Sequence, residues 1–366
     1  MSAPVQEAPL SERLVYRARP TVRVDSQEFP EVSELIIAMS MTEVEGGLSS
    51  LELRVSNIAS DPRGGASFAF EDDRVLKLGA DIAVYAGDES APQQIFHGTI
   101  TGLEVEFAAD GAPELVVLAE DAFQLARMHR RTKVHDNVSI ADLAQSIAAS
   151  VGLTPRITGF TDKIGTQVQL NESDLAFLRR LLARYDGDLQ VVDRDFQVSP
   201  RGDVRRGAVT LTMHSQLLRV RALADLAQQV TQVTVTGWDA SQGQRVSGSS
   251  SGAHHGPGSG RTGAELLSRT LGDRAHHIAH LAATTSSEAQ ALADAAFDER
   301  ARRFVTVEAT TEGNPAVRVG THVTLSGLGD RFDNTYYVVR AAHTYDVLRG
   351  YETTFDAESA YLGSGQ

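Results

Sequence analysis

Between residues 21 and 120 apolar and polar positions alternate in short runs. TVRV, ELIIAMSMTEV, SLELRVSNI, DIAVY, IFHGTITGLEVEF and ELVVLAED carry period-two or β-branched patterning and are separated by Gly, Pro, Asp and Ser. A run of this kind turns one face to a core and the other to water. The spacing therefore predicts a small antiparallel barrel or sandwich over residues 21–125, after an N-terminal arm of residues 1–20.

Around Asp121 the period changes. VSIADLAQSIAASVG places Ile140, Leu143, Ala144, Ile147 and Ala148 on one helical face, with Ser139 as cap, Asp142 three residues later and Gly152 as the stop. NESDLAFLRRLLARYDG predicts a second helix: Asn171 as N-cap, Glu172 and Asp174 in the first turn, and Gly187 as the stop. Leu175, Phe177, Leu178, Leu181, Leu182 and Tyr185 form its apolar face, so its charges cap and solvate rather than catalyse. DLQVVDRDFQVSP reads as a hairpin around Asp193 to Asp195. Residues 126–203 thus form a small α/β domain, in which Arg201-Gly202-Asp203 is a turn tripeptide without adhesive meaning.

From Ala208 strands return in AVTLTMHS and QQVTQVTVTGW, and again in VTVEATTEG, HVTLSG, TYYVVRAAHTYD and YETTFDAES. Residues 204–245 and 303–360 are expected to form a second β domain, with a C-terminal tail of residues 361–366. Between its halves, 246–302 reads as a flexible loop plus a helical excursion. RVSGSSSGAHHGPGSGRTG is too poor in apolar groups to order itself, while AELLSRTL and Ser287 to about Arg303 are helical.

The two β domains share a pattern. LGADIAV (78–84) matches VGTHVTL (319–325), and each is followed by FHGT (96–99) or FDNT (332–335) and a β-rich run. This predicts a strand, a loop, a tight turn with positive φ at Gly98 or Asn334, and a returning strand. The fold class expected is mainly β with an α/β insert (α+β), built from two related β-barrel domains plus the small α/β domain.

Composition narrows the chemistry. The 366 residues are 42% hydrophobic and 22% charged, with no cysteine and a formal net charge of −14. A thiol nucleophile, a thiolate metal site and a disulfide framework are excluded. The negative charge argues against a general nucleic-acid binder, no sequence-specific nucleic-acid binding is expected, and the one basic run, Arg127 to Lys133, reads as a solvated connector. No apolar run is long enough to span a bilayer, and the N-terminus lacks the order of a secretory signal, so cytoplasmic synthesis is expected.

Catalytic motifs fail on context. Gly258-Ser-Gly260-Arg-Thr-Gly263 satisfies G-x-G-x-x-G without a strand leading into it, and reads as a flexible loop. Asp273, His276 and His280 could share a helical face as metal ligands, with His254, His255 and His277 nearby. A metal-dependent hydrolase or effector using residues 254–280 is thus the alternative function, but no glutamate stands between those histidines as a base. His343 in RAAHTYD reads as a turn or subunit-contact residue rather than a base. No catalytic, cofactor-binding or metal residue is assigned, no cofactor is expected, and the chain reads as a non-enzyme.

IFHGTITGLEVEF (95–107), VSIADLAQSIAASVGL (138–153), QLNESDLAFLRRLLARYDGDLQV (169–191), SEAQALADAA (287–296) and nearly all of 317–357 resemble the phage late control gene D family. Those proteins are baseplate hubs of contractile tails, similar to the hub portion of type VI secretion VgrG proteins. The resemblance implies a structural protein of a phage tail or a phage-derived contractile injection system. Its two tube-type barrels per subunit would form a homotrimer that adapts a threefold central spike to the sixfold tail tube. The implied partners are further copies of itself, a spike protein, a tail tube or tube-initiator protein and other baseplate components. The implied location is the baseplate of a virion or injection particle assembled in the cytoplasm. VgrG proteins continue into a β-repeat spike and this sequence ends at Gln366, so a separate spike protein is expected.

Overall fold

The computed structural model describes residues 19–60, 66–88, 91–279 and 283–363. The six alternating runs near the N-terminus are strands β1 (Thr21–Val24), β2 (Ile36–Val44), β3 (Ser50–Ser56), β4 (Asp81–Ala86), β5 (Gln93–Glu106) and β6 (Glu114–Glu120). In β3, Leu51, Leu53 and Val55 are buried and the residues between them are not, as a period of two requires. The strands pair in the order β2-β3-β6-β5-β4-β1, all antiparallel.

Next come β7 (Arg130–His135), α1 (Ile140–Ser150), β8 (Thr154–Ile157), β9 (Gln167–Ser173), α2 (Asp174–Arg184), β10 (Gly187–Val192) and β11 (Asp195–Pro200). Ser139 and Asp142 close a capping box on α1, and both helices bury their apolar faces in one core with Phe196 and Val198. The start of α2 differs from the expectation. Asn171 is a left-handed bulge in β9 (φ 50°), and Ser173 caps the helix by accepting from the Ala176 N–H. At the other end Asp186 (φ 50°), not Gly187, takes the left-handed turn. The basic run is likewise no connector, for its second half is the exposed strand β7.

The remaining elements are β12 (Gly207–Thr212), β13 (Leu217–Ala224), β14 (Gln232–Asp239), β15 (Gln244–Ser250), α3 (Gly263–Thr270), β16 (Ala275–Ile278), α4 (Ser286–Arg302), β17 (Val305–Glu312), β18 (Thr321–Ser326), β19 (Asn334–Asp346) and β20 (Gly350–Ser359). β14 does not join the second β array as expected; it is the centre of a separate sheet, β15-β14-β16, packed on α4. The Gly/Ser/His-rich stretch read as mobile supplies β15. Its small residues serve close packing, since a Cβ on Gly248 would meet the Gln290 backbone N of α4 at 2.2 Å.

The second array pairs in the order β13-β17-β20-β19-β18-β12. Numbered by rank along the chain within each array, this is the order of the first. The equivalence extends to irregularities. β2 and β13 each bulge after their first residue against the next strand, between Ile36 and Ala38 and between Leu217 and Arg219. β5 and β19 each bulge between Ile100 and Gly102 and between Val338 and Arg340. One pairing differs: β1 runs antiparallel to β4, whereas β12 runs parallel to β18.

The repeat read from sequence is corrected in detail. Gly98 lies inside β5, where a Cβ would meet the Glu120 carbonyl O at 2.2 Å, and Asn334 opens β19 without positive φ. Asp81 faces Thr99, whereas the equivalent His322 faces Tyr337, so FHGT aligns with NTYY rather than FDNT. The slip is two residues, which preserves the face each side chain takes.

The arrays form one continuous sheet. The C-terminal half of β19, beyond the end of β18, pairs antiparallel with β2, with His343 opposite Met41 and Tyr345 opposite Met39. Tyr345 and Tyr351 are buried in the core of the first array.

Candidate assembly site

The densest polar chemistry lies where the arrays, the α/β unit and α4 meet. Arg201 follows β11 in a single 3-10 turn and is 4% exposed. Its guanidinium donates to Glu45 and, at 2.7 Å, to Glu358, and it lies 3.2 Å from the centroid of the Tyr337 ring. Glu358 also faces Arg302 Nε at 3.4 Å, and Arg302 donates from Nη1 to Asp186 at 2.7 Å. Arg206 donates to Asp188 and, at 2.9 Å, to Gln197. Arg201 and Arg302 each bridge elements distant in sequence, whereas Arg206 ties the loop after β11 back to the β10–β11 hairpin.

Electrostatics follow from burial. Burial pushes the Glu45 carboxyl up, and the nearby Glu358 adds to this against the pull of Arg201. Burial would also raise Glu43, but the Arg318 guanidinium, donating at 2.6 Å, and the Val319 N–H hold it below its usual range. Burial pushes Asp121 up to about 6, although its carboxylate accepts from the Ser49 N–H at 2.6 Å and the Phe123 N–H at 2.9 Å, joining the first array to the α/β unit. His97 makes a second bridge, its ring nitrogens lying 2.7 Å from Asp81 and 2.6 Å from Asp193 at the β10–β11 turn.

These groups are spent on one another. A cleft beside the junction is lined by Arg179, Asp186, Arg201, Glu299, Arg302 and Glu358, and most of its charges already pair across units. Such an arrangement ties the units to one another, and breaking it from one side would leave an uncompensated buried charge.

The alternative metal reading loses its geometry. His276 and His277 sit on β16, where neighbours take opposite faces, and the His277 ring lies 3.0 Å from the Thr236 hydroxyl. His280 lies outside the described residues. The His255 ring packs near Phe297 and Tyr361, and the His254 N–H donates to Asp298. Among the described residues no group of three or more His, Asp or Glu is placed to hold a metal. Gly258 to Gly263 leads directly into α3, which Thr262 caps in a capping box with Glu265. His343 is neither in a turn nor at the surface. It is fully buried in β19, its Nδ1 lying 2.7 Å from the Tyr351 hydroxyl and 3.2 Å from the Thr353 hydroxyl, and burial pushes it down to about 3.

Sequence reasoning missed Arg201, because its partners Glu45 and Glu358 are remote in the chain and RGD carries no mark of burial. A signal existed for Asp186, which follows a helix with the side chain that best tolerates left-handed backbone after glycine and asparagine. Among the described residues no helix is long and apolar enough to cross a membrane.

The chain shares its fold with solved tail proteins at low identity. The prophage MuSo2 43 kDa tail protein from Shewanella oneidensis is 12% identical with a TM-score of 0.67, covering 93% of this chain and 97% of that one. The tail protein from Neisseria meningitidis MC58 is 12% identical with a TM-score of 0.66, over 94% and 99%. An E. coli type VI secretion component, described as structurally similar to the T4 bacteriophage tail proteins gp27 and gp5, is 12% identical with a TM-score of 0.60, over 94% and 79%. No curated protein matches. A family model matches residues 31–346, the larger part of the sequence, and the chain therefore belongs to the Alg8 N-terminal domain family.

Proposed function

We propose that the chain is a structural baseplate hub of a contractile phage tail or phage-derived injection system, of the kind the late control gene D resemblance implies. In this reading its two arrays are tube-type barrels, and three chains form a ring of six that adapts a threefold spike to the sixfold inner tube. The spike, a tube or tube-initiator protein and other baseplate components are its partners, in a virion or injection-particle baseplate assembled in the cytoplasm. It performs no catalysis.

The observation that carries this reading is the duplicated strand order with its matching bulges. A chain holding two like modules needs only one intra-chain contact and one similar inter-chain contact to close a threefold ring of six. The buried arginine junction suits this role, because a tube adaptor must hold its modules at fixed angles. Sedimentation equilibrium of the purified chain is expected to give three times the monomer mass. A monomer at all concentrations up to the tens of micromolar would contradict the proposal.

A further inference from the structure

The intra-chain seam is a template for a second one. The strand ranked second in the first array, β2, pairs through its outer edge with the C-terminal half of the strand ranked fifth in the second array, β19. Exchange the arrays and the equivalents are the outer edge of β13 and the C-terminal half of β5. Among the described residues each has one unpaired edge: β13 ends the sheet, and β5, paired with β6 on one side, is covered by β4 on the other only as far as Thr99.

We propose, resting on the trimer reading above, that these edges join between neighbouring copies as an antiparallel seam in the same register as β19 on β2. Transferring that register strand by strand puts Val105 opposite Ala222, Glu106 opposite Arg221, and Phe107 opposite Val220 of the next copy. The matching positions inside one chain are His343 with Met41, Thr344 with Ser40, and Tyr345 with Met39.

The side chains of the two edges match in this register along one face and at one pair of the other. One face of the new seam brings Leu103, Val105 and Phe107 against Val220, Ala222 and Ala224, all apolar. On the other face Glu106 stands opposite Arg221, with Arg219 one pair further along opposite Ala108, and Glu104 stands opposite Leu223. A slip of one residue would set the acidic positions against the apolar face and lose both matches. Val105 and Phe107 are 47% and 65% exposed, which suits large apolar side chains that the assembly covers. The exposed Arg221–Glu308 and Arg54–Glu106 pairs stand at either end of this acid–base row, and the seam would link them into one alternating ladder.

The natural absence of cysteine makes the test direct. Two double variants are made in the full chain, Val105→Cys with Ala222→Cys and Glu106→Cys with Arg221→Cys. Adjacent antiparallel pairs alternate between closer and wider Cα spacing, and both spacings fall within disulfide reach. Mild oxidation is expected to give covalent dimers and closed trimers on a non-reducing gel for at least one pair. The frame-shifted control, Val105→Cys with Leu223→Cys, should stay monomeric on the gel. A trimer by mass that forms no covalent species with either pair overturns the seam and leaves the hub reading standing. Cross-linking of the control in preference overturns the register. A monomer by mass removes both.

Discussion

Gly79 and Gly320 occupy the same place in the two arrays: each has left-handed backbone, at φ 84° and 86°, and each donates its N–H to the strand ranked fifth, at Ile100 (2.8 Å) and Val338 (3.0 Å). Those acceptors immediately precede the matching bulges. The repeat thus preserves a turn, a hydrogen bond and a bulge as one unit.

Replacing either glycine by alanine forces a Cβ into left-handed space, at about 1–2 kcal/mol. Gly320→Ala is expected to cost more than Gly79→Ala. A Cβ at 320 would meet Arg206 Nη1 at 2.6 Å, while nothing lies within 4 Å at 79. Chemical denaturation of the two variants checks the order.

Removing Arg201 leaves Glu45 and Glu358 without their central partner inside the junction. Arg201→Ala should destabilise by about 3–5 kcal/mol, the range for breaking a buried ion pair from one side. Arg205→Ala, on the neighbouring loop, serves as control and should change stability little. Equal effects in the two variants would show that the junction contributes no more than surface charge.

The His343 ring binds a proton near pH 3 in the fold and near 6.5 when unfolded. The stability it contributes is fully present above pH 6.5 and is lost as pH falls toward 3, because there the unfolded chain gains the proton and the fold does not. The stability difference between the parent chain and His343→Gln should therefore shrink on acidification, by at most about 1.4 kcal/mol per pH unit. Parallel curves from pH 7 to 4 would refute this assignment.

Gly248→Val should release α4 from the inserted sheet, since the added side chain enters space held by the Ala289 and Gln290 backbone. Hydrogen exchange over 286–302 is expected to accelerate well before the arrays lose protection.

What the sequence disclosed follows physical range. The first six strands are legible because alternation is a local property, and the cap of α1 because Ser139 and Asp142 are three residues apart; the like-spaced Thr262 and Glu265 cap of α3 goes unread, hidden in a stretch that reads as a flexible loop. The same logic failed at α2, where Asn171 offers a cap but the strand pairing of β9 runs on to Ser173. Gly/Ser composition around Gly248 looked unstructured because the helix that needs those small residues lies some forty positions away. The junction was invisible for a similar reason: Glu45, Arg201 and Glu358 come together only once three units have folded. Of the repeat, LGADIAV and VGTHVTL aligned correctly at Gly79 and Gly320, whereas the FxxT match was displaced by two residues from the true register.

In the hub proposed above, three chains present six like arrays around one axis. Electron microscopy of the purified full-length assembly tests it most directly, through class averages viewed down the axis. A hub trimer gives a closed ring with six similar β densities and threefold symmetry overall; isolated particles each holding two arrays, or a ring of another order, would rule it out.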